Sequence, residues 1–174
     1  WLLSPFLKAL EKREREVTLQ EQLDECVRKL WRDPNAPGLN LESLKNTDGS
    51  VFSVRISRGP RVILVRLSSH EVALLYFDNH DEAYAWVDRN RADIPKMLTR
   101  VREVPKGQGI KDWSRLPMVR ATEDDPIALR SAEEFTAMLA DGIERYLAYL
   151  DEEQRRLVEL WSPGLLLIKG GAGT

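Results

Sequence analysis

Cysteine is almost missing from this chain: Cys26 is the only one in 174 residues. A single cysteine excludes an internal disulfide and a cysteine-based zinc site. Histidine is nearly as scarce, present only as His70 and His80. Two imidazoles and one thiol at these spacings make no metal centre. No apolar run approaches the roughly 20 residues needed to cross a bilayer. An excess of either charge is also lacking. Lys and Arg number 26 against 28 Asp and Glu, a net charge of -2, so there is no overall electrostatic pull toward nucleic acid. No internal repeat, low-complexity tract or signal peptide is visible, and an intracellular, cytoplasmic setting is expected. An initiator Met is absent as well, since the chain opens on Trp1 and closes on Thr174. The expectation is a piece of a longer protein.

What is present is an ordinary globular composition, 43% hydrophobic and 31% charged. The length has room for one domain with a connector, or for two small domains. Ser4-Pro5 reads as an N-cap followed by proline at the first helical position. Phe6, Leu10 and Val17 follow at loosely helical spacing. Glu11 to Glu16 mixes signs and reads as a solvated helix face. Thr18 with Glu21 forms a capping box for a second helix. Leu19, Leu23, Val27, Leu30 and Trp31 mark its apolar stripe, and Asp33-Pro34 stops it.

Beyond a loop at residues 35–40 the period changes. Phe52, Val54 and Ile56 alternate with Ser53, Arg55 and Ser57, the pattern of a half-buried strand with Arg55 on its wetter face. Residues 61–67 are apolar at nearly every position, as in a strand covered on both faces, and residues 72–77 make a third strand. The short turns between them predict an antiparallel meander. Asn79 or Asp81 is placed to cap a helix running to about Arg91, and residues 95–102 read as a short further segment. The fold class is therefore α+β.

Pro105, Gly107, Gly109, Pro117 and Pro126 then mark residues 103–130 as a linker. Ser131 with Glu134 is a second capping box. It opens a helix whose face carries Phe135, Leu139, Ile143, Tyr146, Leu147 and Leu150. The expected partition is a domain at residues 1–102, the linker, and a C-terminal segment at 131–174.

That last segment ends in an apolar run from Leu165 to Ile168, followed after Lys169 by Gly170, Gly171, Ala172, Gly173 and Thr174. A phosphate-binding loop needs that order: a strand, then glycines whose backbone N–H groups face phosphate. Upstream stands the run from Leu150 to Val158 with Gln154 within it. The two motifs, in this order and spacing, resemble the start of the motor domain of UvrD/Rep-like superfamily 1 DNA helicases. The resemblance implies that Gln154 contacts adenine and that Gly170 to Thr174 form the first half of a Walker A loop. It implies ATP and Mg as cofactors of the parent protein, and DNA as its partner. The Lys and Ser/Thr that would meet the phosphates and Mg²⁺ are not among these residues. ATPase activity is therefore expected of the parent and not of this chain alone.

The first domain carries a second resemblance, spread over about residues 5–91. Two helices lead to a loop ending in Lys45. A strand bearing Arg55 follows, then a turn carrying Arg61 into a buried strand, and a further strand ending near His80. This order is similar to the RelE/ParE superfamily of toxin-like domains. The run from Asn79 to Trp86 looks like domains of that kind found N-terminal to UvrD-like helicases. Ribonucleases of the RelE branch cut mRNA without metal through attack of the 2′-hydroxyl, which needs a base, an acid and cations. The resemblance implies Lys45, Arg55 and Arg61 as phosphate-facing cations, His80 as the acid/base group and Tyr84 as its neighbour.

The charge balance speaks against cleavage. Residues 39–96 hold eight Lys/Arg and eight Asp/Glu, whereas nucleic-acid binding leans on clustered cations that release counterions. Asp78, Asp81 and Glu82 flank His80 directly. The plainer reading makes Arg55 and Arg61 surface or ion-paired residues and His80 a helix-start histidine. Three functions are carried forward. The first is an accessory or regulatory region of a UvrD-like helicase that binds nucleic acid or a protein partner. The second is an active RelE-like endoribonuclease, with RNA as its substrate. The third is a protein-binding or oligomerising module.

Overall fold

Val62, Ile63, Leu64 and Val65 are buried in succession, and the sheet is built around them. They lie in β3 (Pro60–Arg66), which pairs antiparallel with β2 (Val51–Arg55) on one side and β4 (Val72–Asn79) on the other. A continuous apolar run is what a strand covered on both faces requires. The computed structural model describes residues 1–45, 47, 49–103, 118–120, 126–129, 131–142 and 147–149. Within them α1 (Ser4–Lys12) and α2 (Val17–Arg32) come first, then β1 (Leu41–Ser43), β2, β3 and β4. Next follow α3 (His80–Asn90), α4 (Ile94–Glu103), β5 (Met118–Arg120), α5 (Ala132–Asp141) and β6 (Leu147–Tyr149). The fold is α+β, with a four-stranded antiparallel sheet in the order β1-β2-β3-β4. β5 and β6 form a separate parallel pair.

Each face of the sheet has its own helical cover. Val54, Val62, Leu64, Leu74 and Phe77 join Phe6, Leu10, Leu23 and Val27 of α1 and α2 in one cluster. Phe6 sits at its centre, 5.1 Å from Phe77 and 6.4 Å from Phe135 between ring centroids. Val51, Ile63, Val65, Ala73 and Leu75 join Ala83, Trp86 and Val87 of α3 and Ile94 and Val101 of α4 in the other. Each such aliphatic or aromatic side chain contributes about 1.5–3 kcal/mol on burial. A bulge interrupts the β3–β4 ladder: Ile63 pairs with Tyr76 and Leu64 with Leu74, leaving Leu75 as an extra residue. Tyr76 thereby stacks on Trp86 at 4.9 Å and 8°.

The N-terminal strap extends this sheet. Leu2 bridges Leu74 in parallel and Ile127 in antiparallel fashion. Leu2 and Ile127 exchange two N–H···O bonds of 2.8 Å. Ile127, inside the stretch expected as a linker, is thus buried against the first domain. α5 shares that domain's core as well, through the fully buried Phe135 and Met138. An apolar helical stripe must be covered by something, and here α2 covers it.

Several local expectations are corrected. β1 is a strand where the sequence pattern predicts a loop ending in Lys45. Ser53 is buried, because α3 covers the face it shares with Val51 and brings the Tyr84 hydroxyl to it. Trp31 lies half-exposed beside the α2 stripe, where Leu30 takes the core position. α1 begins at Ser4 with Leu3 as its N-cap, and α2 begins at Val17 without a side-chain cap. The Ser131 cap is as expected, its Oγ accepting from the Glu134 N–H at 3.2 Å. The helix it opens stops at Asp141, because Gly142 turns to a positive φ of 85°. Only glycine adopts that conformation without strain.

Candidate functional site

α3 starts directly at the end of β4, and the Gly59 carbonyl accepts the His80 N–H at 3.1 Å. That start puts His80 and Tyr84 four residues apart on one helix face. Their rings stack at 4.4 Å and 24°. His80 Nδ1 lies 2.8 Å from Asp81 Oδ1. The Tyr84 hydroxyl donates to Glu42 Oε2 at 3.2 Å and lies 3.2 Å from the Ser53 hydroxyl. Glu42 and Ser53 are register partners on β1 and β2. Sequence reasoning missed both, because without β1 as a strand nothing places Glu42 beside the sheet face under α3.

Of the three cations, Arg55 and Arg61 are register partners and Lys45 stands apart. Arg61 is 5% exposed. Its Nη1 donates to the Pro60 and Gly59 carbonyls at 3.1 Å and to Ser57 at 3.4 Å. Its Nε is buried without a hydrogen-bond partner among the described residues. The tight turn before β3 presents three carbonyls at the reach of a folded-back guanidinium, and Arg61 is held there, on the same Gly59 carbonyl that accepts the His80 N–H. Asp78 is its register partner across the ladder. Yet Asp78 is engaged elsewhere, by the Arg13 guanidinium and by the Tyr76 hydroxyl at 3.1 Å. Arg55, opposite Arg61 in the register, is exposed, and its guanidinium makes no hydrogen bond or ion pair among the described residues. Lys45 is exposed on the turn after β1, close to Val51 and therefore at the opposite end of β2 from Arg55.

One open groove of about 410 Å³ lies at the Arg55 end of the sheet, between the α1–α2 turn and the start of β3. Arg13, Arg15, Thr18, Gln22, Pro60 and Asn79 line it. Arg13 and Arg15 belong to the mixed-charge run read as a solvated face. Only the register of the sheet brings that run to the β2–β3 turn.

Among the described residues no group of three or more His, Cys, Asp or Glu is placed to hold a metal ion. No helix among them is long and apolar enough to cross a membrane. Cys26 is buried, and desolvation pushes its thiol up to about 12. Gln154, Gly170, Gly171, Ala172, Gly173 and Thr174 lie outside the described residues. No family model, no curated protein and no solved structure matches this chain.

Proposed function

We propose that this chain is the N-terminal accessory region of an ATP-dependent, UvrD-like DNA helicase, and that its α+β unit is a RelE-like module that binds nucleic acid without cutting it. The helicase part rests on the order of Gln154, the apolar run from Leu165 and the glycines from Gly170 to Thr174. In the parent, Gln154 would hold the adenine of ATP, and the backbone N–H groups of the glycine run would face its phosphates. ATP with Mg supplies the energy for strand separation in such a motor.

One observation favours binding over cleavage: Arg61 is folded into its own turn, with its charge held by the carbonyls of Ser57, Gly59 and Pro60. Arg61 is thereby committed to its turn and not free to meet a phosphorane, although the Gly59 carbonyl it holds also accepts the His80 N–H. The Tyr84 hydroxyl is likewise tied to Glu42 and Ser53. The endoribonuclease reading retains the close stacking of His80 on Tyr84. The protein-binding reading draws on the exposed Trp31 and Val17.

Titration of the chain against labelled DNA and RNA over a range of salt, with gel analysis of the RNA, separates the three. Salt-dependent binding with intact RNA is expected. Cleavage that disappears in His80→Ala overturns the non-catalytic reading. A salt slope near zero points instead to the protein-binding module. For the parent, DNA-stimulated ATP hydrolysis with a raised ATP KM in Gln154→Ala is expected, and no ATP hydrolysis at all sinks the helicase assignment.

A further inference from the structure

We infer that Arg15, Arg55 and Arg58 form the surface that grips the phosphate backbone of nucleic acid, an inference that rests on the binding role proposed above. Arg55 ends β2, and Arg58 lies in the turn that follows. That turn is closed by the Ile56 N–H donating to the Pro60 carbonyl at 3.2 Å. It is also anchored to α3 through the His80 N–H and the Gly59 carbonyl. Arg15 sits on the α1–α2 turn, which shares the groove with Pro60 and Asn79. The Arg13–Asp78 ion pair pins that turn to the end of β4. Two braced turns thus carry three arginines at one end of the sheet.

These three differ from most other arginines of the unit. Arg13 pairs with Asp78 and Glu16, Arg28 with Asp24, and Arg89 with Glu82. Arg61 is folded into its turn, and Arg66 lies over the Phe52 ring at 4.7 Å. Arg15, Arg55 and Arg58 are exposed, and their side chains make no hydrogen bond or ion pair among the described residues. The acids at the same end are already engaged. Asp78 and Glu16 serve Arg13, and Asp81 serves His80. Glu14 lies toward Gly142, its Oε1 only 3.1 Å from where a Cβ on that glycine would stand. At this end Arg13, Arg15, Arg55, Arg58 and Arg61 outnumber Glu14, Glu16, Asp78 and Asp81 by one, and three of the five arginines project unpaired.

The groove is also lined by Glu16, whose carboxylate is taken up by Arg13, and by the apolar Val17 and Leu19, so a phosphodiester would be met by Arg15 and the neutral polar groups. Guanidinium groups bind phosphate bidentately. Thr18, Gln22 and Asn79 add neutral groups of the kind that contact phosphate and sugar oxygens. Three phosphate contacts set the expected salt dependence, a log–log slope of about -2 for a single strand and about -3 for a duplex.

The test titrates the whole chain with a labelled single-stranded 20-mer at several salt concentrations, beside Arg15→Gln, Arg55→Gln and Arg58→Gln. Each change is expected to weaken binding several-fold and to shallow the slope by about 0.7. Arg91→Gln, at the far end of α3, is the control and is expected to leave both unchanged. If the chain binds with a steep slope that the triple arginine variant retains, the binding role stands and this surface is wrong. If the chain binds no nucleic acid at all, the binding role itself fails and takes this surface with it. If it binds poly-glutamate and not nucleic acid, and the arginine variants abolish that, the surface serves an acidic protein partner and the inference is overturned. Circular dichroism of each exposed-site variant verifies that the fold is intact.

Discussion

Arg13 pairs with Asp78 across 65 positions of sequence and ties the α1–α2 turn to the end of β4. Both side chains are only partly exposed, at 22% and 18%. The pair therefore stands between exposed bridges, which contribute up to about 1 kcal/mol, and buried ones, whose one-sided removal costs about 3–5 kcal/mol. Asp78→Asn is expected to lower stability by about 2 kcal/mol, read as a shift of the urea midpoint at constant m-value. Arg13→Gln should cost less, because the Asp78 carboxylate keeps the Tyr76 hydroxyl. Equal, negligible shifts in both variants would show that the pair does not hold the turn.

Tyr76 carries the alkaline limit of the same corner. Burial, then the hydrogen bond and charge of Asp78, raise its phenol above the usual 10.0. A raised value means that the fold favours the neutral phenol. The resulting stability is full below pH 10 and is lost as pH rises through the folded value. Phenolate absorbance should show a late component, titrating above 10.0, in the folded chain. Tyr76→Phe should remove that late component, and its persistence would assign the shift to another tyrosine.

The parts of the fold that could be read in advance are those where burial leaves a periodic mark. β3 is apolar from Val62 to Val65 because two helical layers cover it, and α2 shows Leu19, Leu23, Val27 and Leu30 because only one side of it is covered. Three-residue β1 leaves no such mark, so the edge of the sheet and Glu42 stayed hidden. Ser53 looks like a solvent-facing residue in an alternating strand. It is buried because α3 brings a tyrosine hydroxyl to satisfy it. The candidate site divides in the same way. The four-residue spacing of His80 and Tyr84 could be read directly. The fate of Arg61 depends on where three turn carbonyls point, and the groove at Arg15 depends on which turns the sheet brings together.

The Tyr84 hydroxyl sits between a carboxylate and a buried serine. Tyr84→Phe leaves Ser53, 1% exposed, without that partner. An unsatisfied buried hydroxyl costs about 1–3 kcal/mol. Thermal or urea unfolding should show a loss of that size, whereas nucleic-acid affinity should be unchanged because Tyr84 lies outside the arginine surface. Restoring stability with Ser53→Ala in the Tyr84→Phe background would confirm that the penalty belongs to the stranded serine. A double variant no better than the single would place it elsewhere.

Cys26 offers a probe of how tightly the α1–α2 layer is closed. It lies among Leu23, Val27 and Leu30 on the buried stripe of α2. Desolvation is the largest cause of its rise from 9.0 to about 12, with Lys29 opposing and Glu25 reinforcing. At pH 8 only about one thiol in ten thousand is then ionised in the closed state, and the thiolate is the reactive form. Reaction with an aromatic disulfide reagent is expected to be slow in native buffer and to become immediate in urea. Its native rate should follow the opening of α2 from the core, since exchange proceeds through the exposed state. Phe6→Ala should speed the labelling of Cys26, because Phe6 is fully buried in the same cluster and such truncations cost about 3–5 kcal/mol. Rapid labelling of the unaltered chain would mean that α2 is not packed over this face. A labelling rate indifferent to Phe6→Ala would mean that α2 opens without breaking the core that α1 shares with it.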